Sequence, residues 1–304
     1  MPYRIKRSET VPKAVRRIAL EQIDRARTEL RDTDMEAAES VHQARKRFKK
    51  LRALLRLVRP TIGANRYKRE NRCFRDLGRK LAGARDAEVL LETLDSLVGD
   101  SDDRSLATEV AALRQILETR RDQYLEGDGA DLDSRMAQVA AALDQSAARV
   151  AKWNPGAAGF AAVGPGLKRS YRQGREAMRK ALRQPGDAPF HEWRKRVKDH
   201  WYHSRLLQGI WPALMKAHGR ELKRLSDLLG DDHDLAVFRQ ELEELPGDTL
   251  SHEGRRHLLA RVACRQDRLR SRARRLGARV YAESPKRFRK RWRAYWRGWR
   301  SSGT

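Results

Sequence analysis

Residues 42–50 read His-Gln-Ala-Arg-Lys-Arg-Phe-Lys-Lys, and residues 191–199 read His-Glu-Trp-Arg-Lys-Arg-Val-Lys-Asp. In the first copy, Val41, Ala44, Phe48, Leu51, Leu55 and Val58 step by three and four, which is the spacing of one buried helix face. Displaced by one residue, the same helix carries His42, Arg45, Lys49, Arg52, Arg56 and Arg59, with Lys46 and Lys50 widening the row. No acid interrupts it from His42 to Arg59. Cations on helices usually face water with acids interspersed. An unbroken cationic row beside the buried face instead predicts the lip of a groove between helices. The second copy repeats the row's start with His191, Arg194, Lys195, Lys198 and Arg205, against an apolar side of Phe190, Trp193, Val197 and Leu207. His200 and His203 lie nearby and are expected to add charge at lower pH.

A second motif follows each copy. Leu81-Ala82-Gly83-Ala84-Arg85-Asp86 with Val89 is answered by Leu229-Gly230-Asp231-Asp232-His233-Asp234 with Val237. Two motifs recurring in the same order at nearly one offset predict an internal duplication. Helical periodicity predicts helices over 10–31, 35–59, 64–83, 86–98, 103–125 and 131–151. It resumes over 166–183, 189–210, 213–229, 234–244, 251–281 and 285–299. Pro60, Pro185, Pro189, Pro212, Pro246 and Pro285 fall at or near the gaps. No run of alternating β-branched residues suggests a strand. The expected fold is all-α, with two pseudo-symmetric antiparallel helical bundles. The expected divisions are a first half over 8–152, a linker over 153–165, a second half over 166–283 and a basic aromatic tail over 284–304.

The bulk composition agrees with a folded protein of very polar surface. Hydrophobic residues make up 39% of the 304 and charged residues 36%, yet the apolar residues keep helical spacing throughout. The net charge of +26 spreads from Arg4 to Arg300, so attraction for anions is built into the fold. Nucleic acid, polyphosphate and acidic membrane surfaces are the natural partners. Cys73 and Cys264 make neither a disulfide framework nor a four-ligand zinc site. No apolar stretch follows the first residues, and no run suits a membrane span. A cytoplasmic protein without integral membrane association is expected.

With the helix His-x-x-Arg-Lys-x-x-Lys occurring twice, each followed by a Leu-Gly-x-x-(Arg/His)-Asp-like element, the chain resembles the conserved histidine α-helical domain family, CHAD. The opening Val11-Pro12-Lys13-Ala14-Val15-Arg16-Arg17-Ile18 to Glu21-Gln22-Ile23-Asp24 is similar to that family's first helix, and the resemblance spans roughly residues 8 to 283. It implies paired bundles around a basic cavity that binds long-chain inorganic polyphosphate, in some members on polyphosphate granules. The positions matching the motif are His42, Arg45, Lys46, Lys49 and Lys50, then His191, Arg194, Lys195 and Lys198. Ala82 replaces the family's usual glycine and Asp199 stands where the first copy has Lys50, so weaker binding by the second half is expected. The Glu-x-Glu-x-Lys signature of the triphosphate tunnel enzymes often joined to the family is absent, so no hydrolase activity carries over.

Other constellations are weaker. Asp231-Asp232-His233-Asp234 resembles a metal site, but its first-half counterpart keeps only Asp86. Aspartates capping a helix start, or pairing with a basic side chain, are the expected roles. His252 and His257 are one residue too far apart for the His-Glu-x-x-His zinc motif, and no glycine-rich nucleotide loop or nucleophile elbow is present. No cofactor and no catalysis are expected. In the tail, Phe288, Trp292, Tyr295, Trp296 and Trp299 share a helical face among eight basic residues. Docking on the bundle is the expected role, with an anionic membrane or single-stranded RNA as rivals. The runner-up function is therefore nucleic-acid binding.

Overall fold

The computed structural model describes residues 3–81, 84–99, 107–127, 129–247 and 249–301, with the side chains of 84–87, 124–127 and 129–131 excepted. Among these residues there are eleven α-helices, one fewer than the periodicity predicts, and no strand. They are α1 (Val11–Arg31), α2 (Ala37–Ile62), α3 (Ala64–Lys80), α4 (Ala84–Val98), α5 (Ala107–Gly127) and α6 (Gly129–Ala151) in the first half of the chain. The second half holds α7 (Gly159–Arg183), α8 (Asp187–Leu206), α9 (Pro212–Glu244), α10 (His252–Val280) and α11 (Pro285–Ser301), with a short 3-10 turn at Gln208–Ile210.

Local chemistry sets the helix ends. Thr10 caps α1, its hydroxyl accepting from the Lys13 amide, and Val11, Ala14, Val15, Ile18, Ile23, Ala26 and Leu30 bury one face. Gly63, at φ +92, stops α2 and lets α3 begin at the next residue, a backbone that side-chain-bearing residues rarely adopt. All six residues of the expected α2 stripe are buried, and Ala53, Leu54 and Leu57 are buried as well. That second buried side exists because α2 packs on α1, α3, α7 and α8. The motif helix is therefore central.

In the first half, α6 packs on α1, α1 on α2, α2 on α3 and α4 on α5. In the second, α11 packs on α7, α7 on α8, α8 on α9 and α9 on α10. A single helix, α9, packs between α8 and α10, and α7 lies along α2, whereas α1 makes no comparable contact with α8. The docking expected of the tail is observed: Phe288, Trp292 and Trp296 of α11 are buried against α7. The ends of the described chain also meet. The Ile5 amide donates to the Leu206 carbonyl at 2.9 Å, and Arg300 donates to the carbonyls of Arg7 and Glu9.

Three boundaries correct the sequence reading. Pro60 lies inside α2 rather than after it. The last turn survives the lost amide because Leu57, Val58 and Ile62 are buried and the Gly156 amide donates to the Thr61 carbonyl at 2.8 Å. Helix α7 begins at Gly159, so Pro165 also sits within a helix. Finally, the expected gap between 229 and 234 does not exist, and α9 runs unbroken through it.

The α2–α7 crossing is unusually close. A Cβ on Gly166 would lie 1.7 Å from the Leu57 carbonyl oxygen, so no side chain fits without moving one backbone off the other. Gly166→Ala is therefore expected to destabilise by about 1–3 kcal/mol or more. Gly219→Ala in α9, where a Cβ meets nothing within 4 Å, should stabilise by about 0.5–1 kcal/mol. Denaturant unfolding of the two variants checks this, and equal effects would contradict the close crossing.

Candidate functional site

Helices α2 and α8 carry the two motif copies and pack against each other. Their crossing is pinned by His203 Nε2, which donates to the Ala53 carbonyl at 2.8 Å, and by the Arg56–Asp199 ion pair at 2.9 Å. His203 and the neighbouring His200 are fully buried. Burial holds both below the ordinary histidine pKa, so they belong to the core and do not supply charge to a groove as expected.

One flank of the crossing gathers Lys49 from α2, His191, Arg194 and Lys198 from α8, and His233 from α9. Lys198 is largely out of water beside Arg194 and Lys49, and burial followed by those two cations pushes it down to about 7. His191 Nδ1 and His233 Nδ1 are 3.1 Å apart. Burial, then His191, Arg194 and Lys198, hold His233 at about 4. Arg194 is pushed down by burial and supported by Asp234 and Asp231, while its buried Nε finds no partner among the described residues. Arg45 is half-buried and Lys195 exposed along the same helices, Lys195 pairing with Glu192 at 2.5 Å. His42 is half-buried near the start of the row.

Lys50 and Arg205 form a different group. Lys50 is buried, with its ammonium 5.8 Å from the Tyr3 ring, and the Tyr3 hydroxyl donates to the Lys50 carbonyl. Burial, then Arg47, Arg205 and Lys46, push Lys50 down to about 7. Arg47 is held by Glu29, and Arg205 stacks over Trp201 at 5.1 Å. Lys46, half-buried, reaches Gln43 at 3.5 Å. The ninth motif position thus meets an arginine of the opposite helix twice: Asp199 binds Arg56, whereas Lys50 faces Arg205.

Farther along α2, Arg52 donates to Asn71 at 3.2 Å, and burial beside Arg56 pushes it down to about 10. Arg59 stacks over Tyr67 at 4.6 Å. Arg56, Arg59 and Tyr67 line a cavity of about 190 Å³ together with Arg169 and Gln173 of α7 and Arg196 of α8. Arg196 lies inside the second motif, but Arg169 and Gln173 belong to neither copy. Only the α2–α7 crossing brings them here.

The acidic run is corrected with the helix break. Asp231, Asp232 and Asp234 lie within α9 and cap nothing. Asp232 binds Arg270 at 2.7 Å, and Arg270 also reaches Asp187. Asp231 and Asp234 lie near enough to Arg194 for their charges to support its guanidinium. The side chain of Asp86 lies outside the described residues. Among those residues, no three His, Cys, Asp or Glu side chains converge as metal ligands, and no helix is long and apolar enough to cross a membrane. Guanidinium forks, ammoniums and imidazoles lie along one crossing, groups chemically suited to holding anions.

Comparison with known proteins bears on the family and the fold. The sequence model of the CHAD domain matches residues 14–243. A crystal structure of the CHAD domain from the plant Ricinus communis is similar in fold, with a TM-score of 0.53 and 20% identity over 84% of this chain and 86% of that one. No curated protein sequence matches.

Crowded cations whose pKa values are depressed gain protons when an anion arrives. For Lys198 the window lies between about 7 in the free protein and its ordinary value of 10.5. Affinity for a polyanion should therefore fall as pH rises from 7 toward 9, by at most about tenfold per pH unit for one proton. Lys198→Arg, charged throughout, should flatten that slope. A fluorescence titration at constant ionic strength reads it, and an identical profile in the variant would count against coupling through this lysine.

Proposed function

This chain belongs to the CHAD domain family, and from that premise we propose that it binds long-chain inorganic polyphosphate without transforming it. The family is associated with polyphosphate binding and is generally non-catalytic. The observation that carries the reading is the convergence of Lys49 with His191, Arg194 and Lys198 where the two motif helices cross. A linear polyanion lies along successive cations there, with Arg45, Lys46, Arg52 and Arg56 extending the track on α2 and Lys195 on α8. Lys50, buried under Tyr3, and Arg205 act from the other flank by raising the local potential. We infer also that the two halves descend from a duplication, a view supported by the repeated motifs and by the repeated order of neighbours. Localisation on polyphosphate granules follows from the same binding.

Nucleic acid is the rival ligand, favoured by one observation. The outer face of α11 exposes Lys286, Arg287, Lys290, Arg293 and Arg297, and the half-exposed Trp211 stands edge-on to Tyr295 beside it. Among the described residues, the aromatics beside the cations of the crossing, Tyr67 and Trp201, are half-buried and each already lies under an arginine, unlike the exposed Trp211.

Replacing Arg45, Lys49, Arg194 and Lys198 together by Gln should lower affinity for long polyphosphate by about a hundredfold at moderate salt, with helicity retained. Wild-type binding should weaken steeply with salt as counterions are recaptured. In competition at matched phosphate concentration, RNA and short phosphates should displace the polymer poorly. A folded quadruple variant with unchanged affinity, or RNA competing equally, would overturn the reading.

A further inference from the structure

The cavity between α2, α7 and α8 differs in kind from the cationic track, with which it shares only Arg56, and we propose that it is a site for a terminal, doubly charged phosphate group. The inference rests on the binding function proposed above and adds an end-group pocket to it. The track is open and includes lysines, which act on a passing anion as point charges. The cavity is a recess of about 190 Å³, and its cations are all arginines: Arg56, Arg59, Arg169 and Arg196. That volume equals about six waters, enough for one phosphoryl group with part of its shell.

Fixed geometry sets those arginines up before any ligand arrives. Asp199 holds Arg56 at 2.9 Å and stands 3.7 Å from Arg196, which Glu192 also holds. Two of the four forks are thereby oriented. Arg59 is aligned by its stack on Tyr67, and neither Arg59 nor Arg169 has an ion pair among the described residues. The missing Cβ at Gly166 lets α7 stand directly on α2 at Leu57. Arg169 and Gln173, at i+3 and i+7 from that glycine, then overhang Arg56 and Arg59 on one helix face. Gln173 and Tyr67 contribute neutral donors.

The charge balance selects the occupant. Four guanidiniums face Asp199 as the nearest carboxylate, with Glu192 engaged behind Arg196, so a cationic surplus remains in a confined space. An internal phosphate of a polymer offers one charge and two free oxygens. A terminal phosphate approaches two charges with three oxygens, the better match for converging forks. The same chemistry is offered by the end of a polyphosphate chain and by free pyrophosphate, and the experiment separates them.

Calorimetry would compare three probes: pyrophosphate, long polyphosphate with free ends, and the same polymer with both ends capped as phosphoramidates. Arg59→Gln with Arg169→Gln should weaken pyrophosphate at least tenfold while leaving the capped polymer unchanged, and Arg169→Gln alone should act in the same direction. If chain ends are the source, the free-ended polymer loses in the double variant what capping removes in the wild type. If free pyrophosphate is the source, capping has no effect in the wild type, and the pocket still stands. Lys49→Gln with Lys198→Gln should leave pyrophosphate within twofold and weaken the long polymer. Should that variant bind the polymer normally, the track fails and the pocket survives. Pyrophosphate binding unchanged in folded Arg59/Arg169 variants, or a capped polymer weakened as much as the free-ended one, would overturn the proposal.

Discussion

Burying like charges beside one another is the constraint on which this structure turns. Lys198 stands largely out of water between Arg194 and Lys49, and Lys50 is buried near Arg47 and Arg205. Neither arrangement is favourable on its own, because desolvation and repulsion both act against the charged forms. They persist because the same two helices bury Phe48, Leu51, Leu55, Trp193 and Val197 on adjoining faces. Apolar packing fixes the backbones and the cations must accept the positions that result. The amines respond by lowering their pKa, which relieves part of that repulsion.

The two copies of the motif share that burden unequally. Asp199 and Lys50 occupy the same motif position, and each meets an arginine from the other helix. On the Asp199 side the encounter is an ion pair that joins the halves and orients Arg56 and Arg196. On the Lys50 side it is a repulsion between like charges, covered by Tyr3. One substitution thus makes one flank structural and the other electrostatic. Set against Lys50 in the sequence, Asp199 reads as weaker binding by the second copy. In the fold it aligns two arginines.

What was legible in the sequence was whatever depends on periodicity. The α2 stripe of Val41 to Val58, the aromatic face of α11 and most helix limits follow from spacing alone, because burial selects residues at three and four. Proline and acidic runs misled for a physical reason. Pro60 and Pro165 cost one amide each, and burial of Leu57, Val58 and Leu167 outweighs that cost. The Asp231–Asp234 run resembles a cap only until Arg270 and Arg194 are seen across from it. The row itself was readable, but its division was not. Lys49 and Lys50 adjoin in sequence and point about 100° apart around the helix. Arg169 and Gln173 carried no local signal, since their place depends on how closely α7 can approach Leu57.

The fastening of residues 5–9 to α8 and α11 has a consequence for how the molecule comes apart. Helices commonly fray from their free ends, where few interactions oppose opening. Here the Ile5 amide is held by Leu206, and Arg300 reaches back to the carbonyls of Arg7 and Glu9. Peeling α11 away would break that clasp and expose Phe288, Trp292 and Trp296 in the same step. Fraying from this end must therefore give up the clasp and the aromatic burial together, rather than one turn at a time.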